Sequence, residues 1–87
     1  MNNQEIPYDH ALNALMDARH MVISARSETA KSLRRMQLAE PAQLHTWATE
    51  YAINDAAQKM AEKAYQNIVC MFLQSNVAIP PRLVLED

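Results

Sequence analysis

Glycine is absent from all 87 residues. A backbone that must turn sharply or lie against a ligand generally relies on it, so phosphate-cradling loops, dinucleotide fingerprints and nucleophile elbows are excluded. Cys70 is the single cysteine. No disulfide or zinc framework can form within one chain, and its place in an apolar run predicts a small buried hydrophobe in a reducing compartment. Only 6% of residues are aromatic, which favours closely approaching helices over a thick aromatic core. Charge of one sign is scarce too: the net charge is −2, so no global field draws the chain to nucleic acid or to an anionic membrane. The longest apolar run, Ile68 to Leu73, is far too short to span a bilayer. The start, Met1-Asn2-Asn3-Gln4-Glu5, has no basic region followed by an apolar stretch. No signal peptide or membrane contact is expected, and the location expected is cytoplasmic.

What is present is a pattern of long helices. Pro41 to Asn76 contains no internal proline or glycine, and as one helix it would extend roughly 54 Å. Before it, Pro7 suits a first helical turn and Asp9 complements the positive end of the helix dipole. From there Ala11, Leu15, Ala18, Val22, Ala25, Leu33 and Met36 form one stripe, with Leu12, Met16, Ile23 and Ala30 beside it. Arg19 and Arg26 fall between the stripes and need carboxylate partners or an outward path. Residues 1–6 are expected to fray and residues 77–87 to form an extended tail.

The expected fold is therefore all-α, one domain over residues 1–87. It is an antiparallel hairpin of two helices, at 7–37 and 41–76, completing a four-helix bundle as a homodimer. With the turn centred near residue 38 or 39, facing residues have numbers summing to roughly 77. That register sets Arg26 near Glu50 and Arg19 near Asp55 or Glu62.

The second helix holds an irregularity. Leu44, Trp47, Ala48, Tyr51 and Ala52 form its early apolar face, whereas Ile53, Ala57, Met60, Ala61, Ala64, Ile68, Met71 and Phe72 follow on a different side. Either the helix breaks near Asn54, with Asp55 and Gln58 as a capping box, or it stays whole and meets different neighbours along its length. The absence of proline and glycine favours the whole helix. Asn76 suits a left-handed cap, Val77 can complete a Schellman motif with Phe72, and Pro80 and Pro81 forbid continuation.

Chemistry has little to stand on. His10, Asp17 and His20 share one side of the first helix, but the second offers only His45 with no acid three residues earlier, so a solvated face is the better reading. Cys70 and the serines lack a neighbouring base, and no enzyme, cofactor or metal is expected. Lys31, Arg34 and Arg35 could contact phosphates, making a nucleic-acid-binding regulator the alternative function, although cations near a helix C-terminus also serve the dipole. The apolar excess is the stronger signal. Trp47, Tyr51, Ile53, Met60, Ala64, Ile68 and Phe72 are the expected protein interface, in a homodimeric interaction module that binds a second protein as adaptor, inhibitor or regulator. Leu83 and Leu85 could cover the hairpin or cross to a partner.

Overall fold

The computed structural model describes residues 8–85. The expected fraying of residues 1–6, the helix start at Pro7 and the last two tail residues lie outside them. Two helices of 31 residues, α1 (Tyr8–Leu38) and α2 (Leu44–Gln74), pack against each other as a hairpin. A 3-10 turn at Pro81–Leu83 follows. The chain is all-helical, and neither helix is long and apolar enough to cross a membrane.

Helix α1 runs unbroken past Ser24, Ser27, Thr29 and Ser32, opened by Asp9 and closed by Arg35 in the sense its dipole favours. Pro41 lies within the connection from α1 and does not open α2. Residues 41–43 form a turn closed by the Gln43 N–H on the Glu40 carbonyl at 2.9 Å, and α2 begins three residues later than expected, at Leu44. Its C-terminus follows the expected motif. Asn76 has φ 56°, its N–H reaches the Leu73 carbonyl at 3.2 Å, and the Val77 N–H reaches Phe72 at 3.0 Å. These are the two crossed bonds of a Schellman cap, with asparagine in the place glycine usually fills.

The later turn shifts the register. Arg26 pairs with Glu62 and Arg35 with Glu50, so facing numbers sum to about 85–88 rather than 77. The expected partners Glu50 for Arg26 and Asp55 or Glu62 for Arg19 are therefore wrong. Arg26 takes Glu62 through Nη2 and Nε at 2.9 and 3.0 Å, while Arg19 keeps a buried Nε with no hydrogen-bond partner.

Helix α2 is also unbroken at Asn54. Its seam with α1 follows a seven-residue rhythm through Tyr51, Asn54, Gln58, Ala61, Tyr65, Ile68 and Phe72, all buried or half-buried. The α1 seam runs through Leu15, Ala18, Val22, Ala25, Thr29, Ser32 and Met36. Leu15, Val22 and Ser32 are the largest fully buried side chains. At the middle the seam turns polar. The Asn54 amide donates to the Ser32 hydroxyl, which donates to the Glu28 carbonyl at 2.9 Å. The Thr29 hydroxyl lies 2.9 Å from the Ala25 carbonyl and 3.1 Å from that of Asn54. Asn54 is thus a bridge between helices, not the start of a new one.

The tail is not simply extended. Pro80 enters in extended geometry, but Pro81–Leu83 coils into the 3-10 turn and Leu83 is buried against both helices. Val77, Ile79 and Leu85 pack on the same core. The Tyr65 hydroxyl fixes this arrangement by donating to the Leu83 carbonyl at 2.6 Å and accepting the Leu85 N–H at 3.0 Å. Tyr65 is thus a buried anchor. The expectation of a buried Cys70 is corrected: Cys70 is exposed, because the seam passes through 68 and 72 and leaves 70 on the outside.

Candidate functional site

An antiparallel pair of helices has two flanks beside its seam, and they are covered very differently in this hairpin. On one flank lie Leu12, Arg19, Arg26 and Leu33 of α1 with Asp55, Glu62 and Val69 of α2, and every one is half-buried. The long arginines fold over it, the tail packs at its open end, and the Arg26–Glu62 pair closes its middle. Glu62→Gln is expected to cost less than about 1 kcal/mol in urea unfolding, since each partner keeps a third of its side chain exposed and solvent screens the pair.

The other flank is open. It comprises Ala14, Met21 and Glu28 of α1 with Ala57, Ala64 and Met71 of α2, all exposed, and Ile53, Met60 and Asn67 continue it onto the outer side of α2. Ile53, Met60, Met21 and Met71 are 64%, 74%, 61% and 48% exposed, values that place large apolar side chains in water rather than in a core. No charged residue of α2 between Ile53 and Met71 lies on this row. Asp55, Lys59 and Glu62 point to the opposite side, and Lys63 to the back. Lys59 pairs with Asp55 at 2.9 Å, and that hydrogen bond, with the attraction of the carboxylate, raises the lysine pKa above its ordinary value. The stability it contributes is present below the unfolded lysine value and is lost only as pH rises through the raised one.

The seven expected interface residues divide between two places. Ile53, Met60 and Ala64 lie on the open flank. Trp47 and Tyr51 sit half-buried on the seam near the turn, where the Arg35 guanidinium lies 5.5 Å from the Trp47 ring centroid. Ile68 packs against the core of the hairpin and Phe72 is buried in it. Ala57 and Met71, which share the apolar face of Met60, also belong to the open flank though they were not among the expected interface residues, and Met21 joins them because the observed register sets it beside α2.

The basic cluster is partly engaged. Lys31 meets Glu28 at 3.5 Å and Arg35 meets Glu50 at 3.2 Å. Arg34 instead lines a shallow open depression on α1 with Ala30, Leu33, Gln37 and Leu38. His10, Asp17, His20 and His45 are exposed, and no group of three or more metal-ligating side chains gathers among the described residues. Comparison with known protein families, with characterised proteins and with solved structures finds no match for the chain.

Proposed function

We propose that the protein is a non-enzymatic cytoplasmic interaction module, which acts as a helical homodimer and binds a second protein as adaptor, inhibitor or regulator. The observation that carries this reading is the uncharged apolar row Ile53–Ala57–Met60–Ala64–Met71 along α2. A two-helix hairpin leaves such a row in water, and exposed apolar surface of this extent marks contact with another chain. Size adds to it, since chains this short bury too little surface to be robust alone.

Light scattering coupled to size-exclusion chromatography tests the first half. At micromolar concentration the expected mass is twice the 9.9 kDa of one chain, and a compact monomer would overturn the dimer. The second half predicts a partner for surface that dimerisation leaves free, with the exposed Leu38 at the α1 depression as its most apolar point. Affinity capture from host extract should retain one protein with the wild type and lose it with Leu38→Glu. Equal retention by both would remove that depression from the reading.

A further inference from the structure

The reading of the chain as a homodimer leaves open which surface pairs, and the inference here rests on that reading. We infer that the occupant of the open flank is a second copy of this chain, docked so that the two α2 helices run antiparallel across a two-fold axis near residue 62, with Met60 of each copy seated against Ala64 of the other.

Three observations support it. The first is area. The chain exposes 6729 Å², whereas a compact 9.9 kDa monomer exposes roughly 5,200 Å². Its radius of gyration is 17.3 Å, against about 12 Å for a compact chain of this length. A standard interface removes about 800 Å² from each partner, which the excess of this chain over a compact one readily supplies.

The second observation is that only one flank is available. The opposite flank is half-buried at every seam-adjacent position and holds the Arg26–Glu62 pair. The open one is exposed from Ile53 to Met71 and carries no α2 charge, matching the depletion of charge at interface cores.

The third is self-complementarity, which a two-fold interface requires because the same patch meets itself. Along the row, large and small residues alternate as Ile53, Ala57, Met60 and Ala64. An axis near residue 62 sets Met60 against Ala64, Ala57 against Asn67 and Ile53 against Met71, so bulk meets a small side chain at the centre. No charge lies on the row itself, and Lys63 of each copy falls at its edge near the axis. Met21, beside this row on α1, would close the edge of the contact.

The test places a charge on each candidate surface and reads mass and helicity together. Met60→Glu and Ala64→Glu should halve the apparent mass while Ile23→Glu, on the outer side of α1 beyond the covered flank, leaves a dimer. A wild-type dimer that survives Met60→Glu but falls apart with Ile23→Glu would overturn the inference and leave the homodimer standing. A wild-type monomer would instead remove the homodimer itself. Should the glutamate variants lose helicity, crosslinking decides. Met60→Cys chains and Ala64→Cys chains, both with Cys70→Ser, are mixed, allowed to exchange and oxidised. The mixed disulfide should form at least ~10-fold faster than a disulfide between Ile23→Cys, Cys70→Ser chains, because paired thiols in a docked dimer meet at millimolar effective concentration. Equal rates would overturn the proposed pairing.

Discussion

Leu83→Ala is expected to lower the unfolding free energy by about 2–5 kcal/mol, although the residue lies outside both long helices. Leu83 is buried against the core formed by Leu15, Ala18, Tyr65 and Phe72, so truncation opens a cavity where the hairpin has little other apolar cover. Tyr65→Phe should cost about 1–3 kcal/mol, since it leaves the Leu83 carbonyl and the Leu85 N–H without their shared partner. The two changes should fall well short of additive. Once Leu83 no longer anchors the tail, the Tyr65 hydroxyl has nothing left to hold. Chemical denaturation of the two single variants and the double variant measures this coupling. A Leu83→Ala protein within ~0.5 kcal/mol of wild type would show that the tail contributes nothing to stability.

Ser32→Leu is expected to cost about 1–3 kcal/mol or more from overpacking alone. Ser32 is fully buried between the helices and accepts the Asn54 amide, so the change also strands that donor. Replacing both partners together should behave differently. Ser32→Ala with Asn54→Leu removes donor and acceptor at once and restores apolar contact, which can be nearly neutral in free energy. What the pair should lose is a unique register, as when a buried asparagine is removed from a coiled-coil seam. Spin labels at positions 20 and 63, both on exposed outer faces, would read this as a broadened distance distribution. A narrow distribution in the double variant would show that packing alone sets the register.

The two helices and the C-terminal cap of α2 were legible because each rests on local signals: uninterrupted periodicity, Asp9 near the start of α1, and Asn76 before Val77 and two prolines. The seam was less legible. It passes through Thr29, Ser32, Asn54 and Gln58, and a search for apolar rows steps off it there and continues along Ile53, Ala57 and Met60. The apparent change of face in α2 is this departure, and the helix itself runs straight through. The register differs from the expected one for a related reason: Pro41 lies at the boundary between the helices, but the turn extends to Gln43. The tail fold depends on Tyr65 meeting Leu83 and Leu85, contacts across 18–20 residues that no local pattern announces.

The position of that clamp also bears on the order in which the molecule assembles. Contacts beside the turn, such as Arg35 with Glu50, close short loops and form at low entropic cost, whereas those at the far end close the longest ones. The Tyr65 hydroxyl holds Leu83 in the half of the hairpin away from the turn, where it packs with Leu15 and Ala18, residues far earlier in the chain. Folding that zips from the turn outward would set this latch last, so weakening it should accelerate unfolding while leaving the folding rate nearly unchanged. A single hydroxyl group within α2 would then govern how long the native hairpin lasts once formed.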